Sequence, residues 1–135
     1  MQIGIPAETR SGEKRVAATP ETVKKLTAPG HHKVLVQSGA GVAASIPDFE
    51  FAASGASIVG SAAEMSAQSE IVLKVRGPEA TELAMMRKDG ILVGLLAPQQ
   101  VSQIEAYAKH GLTAFAMELL PRISRAQSMD VLSSQ

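Results

Sequence analysis

Two arginines, a glutamine, an aspartate and several serines crowd one stretch near the end of this 135-residue chain: Pro121-Arg122-Ile123-Ser124-Arg125-Ala126-Gln127-Ser128-Met129-Asp130-Val131-Leu132-Ser133-Ser134. Ser124 and Gln127 have capping-box spacing, so part of the pattern serves a helix start and needs no ligand. On the following turns, Gln127, Asp130 and Ser133 or Ser134 would still gather with Arg122 and Arg125 near one face, a mixed set of donors and acceptors. Placed just beyond a C-terminal strand end, such a set suits the ribose and amide of a nucleotide.

Three other motifs carry charge or glycine where chemistry is conceivable. Glu13-Lys14-Arg15 precedes a capped helix, and Arg15 there could meet a carboxylate or phosphate; a solvated loop before a helix cap explains it equally well. Lys74 lies inside Ile71-Val72-Leu73-Lys74-Val75, where a charge must either face the crevice at the strand's end or snorkel to solvent from an edge strand. Gly39-Ala40-Gly41-Val42-Ala43-Ala44 matches the dinucleotide fingerprint formally, but Pro47 interrupts the helix that should receive a pyrophosphate. It reads as a structural turn, with a fresh helix after Ser45 or Pro47. His31, His32 and His110 sit beside Gly30 and Gly111 without metal-ligand spacing and read as exposed turn residues; no metal site is expected.

The elements that must position these residues alternate. Strands are expected at 2–5, 33–37, 57–59, 71–75, 91–96 and 112–117, several of them apolar on both faces as in a sheet covered on each side. Helices are expected near 20–28, 48–54, 61–67, 79–86 and 99–110, with another opening at Ser124. Thr19 before Pro20, and Ser61 with Glu64, supply caps; Pro78 and Pro98 mark two more starts; Gly30, Gly55 and Gly111 supply helix ends. The fold class is α/β: Rossmann-like, a mainly parallel sheet with helices on both faces.

Composition narrows the partners. Thirteen basic against thirteen acidic residues give no net charge, and aromatics are only 3%, so neither an electrostatic footprint nor stacking platforms for nucleic acid are present. There is no cysteine, which removes disulfides, thiolate metal sites and a thiol nucleophile. The longest apolar stretch, 91–97, is broken by Gly94, against the roughly 20 residues that span a bilayer. The start lacks a signal peptide, and a cytoplasmic location is expected.

The chain resembles, over essentially all its length, the N-terminal part of the alpha subunit of proton-translocating NAD(P) transhydrogenase, its NAD(H)-binding domain I. The resemblance rests on Ile3-Gly4-Ile5-Pro6 with Glu8, Arg15-Val16-Ala17-Ala18-Thr19-Pro20, Ser38-Gly39-Ala40-Gly41, Ile71-Val72-Leu73-Lys74-Val75 and, most specifically, the stretch from Pro121 to Asp130. It implies that 1–135 is the first subdomain of a two-subdomain unit whose Gly-rich NAD fingerprint lies in the other, with a later segment returning to complete the first. Arg122, Ile123, Ser124, Arg125, Gln127, Asp130 and Ser133 would then hold the nicotinamide and its ribose, with Gln127, Arg122 and Asp130 positioning the reaction. The implied cofactors are NAD(H) here and NADP(H) on a partner subunit. The implied assembly is a homodimer joined to NADP(H)-binding and membrane subunits, peripheral to the inner membrane. Related alanine dehydrogenases share the earlier motifs and use Arg15 and Lys74 on a carboxylate substrate, but they need a His where this chain reads Gly94-Leu95-Leu96-Ala97. An amino-acid dehydrogenase, or a folding or dimerisation module, are the alternatives. By itself the chain is expected to be inactive.

Overall fold

The computed structural model describes residues 1–119 except Pro29 and His31. Six parallel strands form one sheet: β1 (Gln2–Ile5), β2 (Lys33–Gln37), β3 (Ser57–Val59), β4 (Ile71–Arg76), β5 (Ile91–Leu95) and β6 (Thr113–Ala116). Their spatial order is β3-β2-β1-β4-β5-β6. The chain thus starts at the centre, winds outward to β3, then returns to β4 and winds the other way. The direction of winding reverses between β1 and β4, and ligands of open α/β sheets bind beyond the C-terminal strand ends at such a switch point.

Five helices connect the strands: α1 (Pro20–Thr27), α2 (Asp48–Ala53), α3 (Ala62–Gln68), α4 (Ala80–Met85) and α5 (Val101–Lys109). Caps start them where the sequence says. Thr19 Oγ1 accepts the amide of Thr22, and Ser61 Oγ accepts that of Glu64. Gly30, Gly55 and Gly111 all take positive φ past helix ends, where a Cβ would be strained. Helix α5 starts two residues later than expected. Ala97 adopts φ 52° and its carbonyl accepts the amide of Gln100, so the turn around Pro98 consumes the intervening residues.

Alternation along the strands sends side chains to two cores. On one face Ile3, Ile5, Val34 and Val36 pack with Val23 of α1 and Phe51 of α2. On the other, Leu35 and Val59 pack with Met65 of α3, while Val72, Leu92 and Leu96 pack with Met86 and Tyr107. Helices therefore cover both faces, but unevenly. Val93 and Leu95 lie on the α1–α2 face with Phe115, which pairs beside Val93, and the described helices leave Leu95 40% and Phe115 54% exposed.

Candidate functional site

The loop after β1 runs Pro6-Ala7-Glu8-Thr9-Arg10 along the C-terminal rim, and the turn after β4 runs Gly77-Pro78 beside it. Lys74 stands between them. Its ammonium lies 2.8 Å from Glu82 Oε2 and 3.4 Å from Glu8 Oε1, with only 1% of its side chain exposed. Strand β4 is interior, between β1 and β5. The snorkelling alternative therefore fails, because an interior strand offers no edge from which a four-carbon stem reaches water.

Around this lysine the carboxylates are densely satisfied. Glu8 also accepts the amides of Val75 at 2.8 Å and Arg76 at 3.2 Å. Glu82 accepts the amide of Glu79 and the hydroxyl of Thr9, each at 2.9 Å. Burial works against a charge on Glu82, yet the bonds from Lys74, the Glu79 amide and Thr9 together hold its carboxyl below the usual range. The triad carries two negative charges and one positive, so Lys74 is already more than neutralised without a substrate.

The same device recurs along the rim. Glu118 accepts the amides of Leu96 at 3.1 Å and Ala97 at 2.9 Å beyond β5. Burial opposes its charge, but those amides and its own keep its carboxyl lowered. Gln37 accepts the amide of Ala7 at 2.9 Å beyond β1. Asp48, the first residue of α2, takes the Ser38 hydroxyl at 2.6 Å and the Gly39 amide at 2.9 Å, and these bonds lower its carboxyl. Strand-end amides that could bind an anion are thus occupied by the chain's own oxygens.

The glycine motif is a turn, as its interrupting proline suggests. Val42–Ala44 forms one turn of 3₁₀ helix, Ser45 takes φ 66°, and α2 opens afresh at Asp48. A Cβ on Gly41 would fall 2.5 Å from the carbonyl of Ile46 and 2.7 Å from the Phe51 ring. The space that a fingerprint glycine leaves for pyrophosphate is filled here by the protein itself.

Arg15 does not reach this cluster. It folds back on Glu13, with Nε 2.8 Å from Oε2 and Nη2 2.9 Å from Oε1. The Arg15 guanidinium holds the Glu13 carboxyl down at about 2. His110 corrects the expectation of exposed turn histidines, since it is half-buried with Nε2 2.6 Å from the carbonyl of Met86. A carbonyl can only accept, so that nitrogen carries the proton. His31 lies outside the described residues. Among the described residues no group of His, Asp and Glu could hold a metal ion, and no helix is long and apolar enough to cross a membrane.

Arg122, Ile123, Ser124, Arg125, Gln127, Asp130 and Ser133 all lie outside the described residues. Glu82 and Glu118 were not singled out from sequence. Lys74 was the available signal for the first, because a cation in an apolar strand demands an acceptor; Glu118 carries no comparable signal in the strand-to-loop passage where it stands.

The family model for "Alanine dehydrogenase/PNT, N-terminal domain" matches residues 4–135. The chain is 49% identical over 143 aligned positions to the first of the separately encoded pieces of NAD(P) transhydrogenase subunit alpha of Rhodospirillum rubrum, covering 100% of this chain and 36% of that protein. It is 45% identical over 96 positions to alanine dehydrogenase of Mycobacterium tuberculosis, covering 71% of this chain and 26% of that protein. The crystal structure of transhydrogenase from Sinorhizobium meliloti superposes with a TM-score of 0.89 at 44% identity, over 99% of this chain and 40% of that one. The chain therefore spans well under half the length of each of these relatives.

Proposed function

Because the chain belongs to the alanine dehydrogenase/PNT N-terminal domain family, we propose that it is the opening portion of the NAD(H)-binding component of a proton-translocating NAD(P) transhydrogenase. The observation that carries this reading is the extent of similarity: 49% identity to a transhydrogenase subunit over the whole chain, polar stretch included, against 71% coverage for an alanine dehydrogenase. Two features of the rim favour it over an amino-acid dehydrogenase. Lys74 is held by two carboxylates, and the segment Gly94-Leu95-Leu96-Ala97 has no His to move a proton at a substrate.

NAD(H), when bound, supplies or accepts a hydride; NADP(H) belongs on a partner subunit, with membrane subunits coupling the reaction to proton movement. Passing a hydride between two nicotinamides moves no proton at the reacting carbons, so the protein's work is placement. The engaged rim amides do not fit a pyrophosphate. The share assigned to this chain is the nicotinamide end, with Arg122, Ile123, Ser124, Arg125, Asp130 and Ser133 as its contacts and Gln127 setting the angle of approach. The assembly works as a homodimer of this component, on the cytoplasmic side of the membrane.

The test is Gln127→Asn in the full subunit, assayed with its partners. Shortening the side chain by one methylene should slow single-turnover hydride transfer about tenfold or more while NADH affinity changes little. An unchanged transfer rate would refute the role of Gln127. Pyruvate reduction with NADH and ammonium by the unaltered protein would move the reading to the amino-acid dehydrogenase.

A further inference from the structure

Arg10 stands on the rim beside the switch point, and its guanidinium is held on one side only. Its Nε donates to the carbonyl of Gly77 at 2.9 Å, whereas its two terminal nitrogens make no hydrogen bond or ion pair with any described residue. An arginine is always charged, and its N–H groups form a rigid planar fork. Tethering Nε therefore fixes the plane in which the remaining donors lie.

That fork borders an open cleft of about 350 Å³ between the turn after β4 and the first turns of α5. Pro78, Ala80 and Leu83 supply apolar wall, Ser102 and Gln103 supply polar groups, and Tyr107 completes the lining. Gly77 makes room for this arrangement, since a Cβ there would fall 2.5 Å from the Tyr107 hydroxyl. Glu79 borders the cleft too, but its Oε1 already takes the Thr9 hydroxyl at 2.7 Å. The unsatisfied charge in the cleft is positive. Elsewhere on the rim, cations are committed: Lys74 to Glu8 and Glu82, Arg15 to Glu13.

We propose that this cleft binds a small oxyanion, a carboxylate or phosphoryl group whose oxygens take the terminal N–H groups of Arg10 side by side. Its carbon skeleton rests on Pro78 and Leu83. The volume is at the lower end of the roughly 300–1,000 Å³ of small-molecule sites, which limits the ligand to a few atoms beyond the anionic head. This site shares no residue with the stretch assigned to nicotinamide and stands independently of that assignment.

Sodium acetate and inorganic phosphate are titrated separately into the full chain at constant ionic strength made up with chloride, and followed by ¹H–¹⁵N spectra. Saturable shifts confined to Arg10 Nε and the amides of Ser102 and Gln103 are expected. Saturation by acetate alone identifies a carboxylate site, and by phosphate alone a phosphoryl site. Arg10→Gln should weaken binding by about tenfold or more, with Arg10→Lys between, because lysine keeps the charge and loses the fork. Ser102→Leu fills the cleft from α5 without touching Arg10 and should also abolish saturation, which covers the case in which Arg10→Gln fails to fold. Shifts that never saturate, or that persist in Arg10→Gln of native spectrum or in Ser102→Leu, overturn the proposal.

Discussion

Lys74, Glu8 and Glu82 expose 1%, 2% and 11% of their side chains, so whatever removes the cation leaves two carboxylates in a poorly solvated place. Lys74→Met should therefore destabilise the chain by about 3–5 kcal/mol, as loss of one partner from a buried ion pair does. Chemical denaturation checks this, and a loss under about 1 kcal/mol would mean that the triad is relaxed by water. The acid dependence should change sign as well. Glu82 is held below its ordinary 4.5, so its contribution is present above that pH and is lost as the pH falls through the folded value. Without the lysine, burial raises both carboxyls, and the variant should gain stability on acidification through the same window. Arg15 and Glu13 make the contrasting case. Glu13 sits at about 2 chiefly through its hydrogen bond from Arg15, so what this pair contributes is present above pH 4.5 and fades between 4.5 and about 2. Arg15 is 65% exposed, and Arg15→Met should cost under about 1 kcal/mol at neutral pH. A carboxyl NMR titration should show Glu13 moving back toward 4.5; a Glu13 still titrating near 2 would exclude Arg15 as the cause. Sequence alone shows that Lys74 needs a partner and leaves open which, because Glu8 is delivered by another strand's loop.

Local rules place the elements well because each start and stop has a chemical cause inside a few residues. Thr19, Ser61, Gly55 and Gly111 act within one turn of where they stand. The six expected strands are the six observed, trimmed by one or two residues at β5 and β6 where ladder partners run out. The glycine turn illustrates what a motif means in context. Its match to a fingerprint is formal, and the fold uses Gly41 to let the Ile46 carbonyl and the Phe51 ring approach. Gly41→Ala should cost about 1–3 kcal/mol by overpacking a backbone and a core ring that have little room to yield. Thermal unfolding reads the cost, and a neutral result would show that the turn can open. The uneven cover of the sheet belongs to this scale too. Leu95 and Phe115 are apolar and exposed, although the apolar run through β5 suggests a strand covered on both sides; a strand's composition states how much cover it needs and not which segment provides it.

For the molecule as a whole, the engaged rim bears on cofactor binding. Oxygens of Asp48, Glu8, Gln37 and Glu118 occupy the strand-end amides beyond β2, β4, β1 and β5. A pyrophosphate would have to displace carboxylates to reach them and meet their charge on the way. The chain by itself should bind NADH with a dissociation constant no tighter than about 1 mM, a free energy of about 4 kcal/mol. Calorimetric titration giving micromolar affinity would overturn this. The α/β class, the order of elements and their caps were readable in the amino-acid sequence, since apolar runs, prolines, glycines and short polar side chains act over a few residues. Which oxygen meets which amide was not readable. The contact between Glu8 and the Val75 amide joins residues 67 apart, and it exists only because β4 returns past β2 and β3 to lie beside β1. That long crossover sets the partners of Lys74, engages the amides of the rim and leaves Arg10 with a free fork, because burial and charge pairing are settled by neighbours in space.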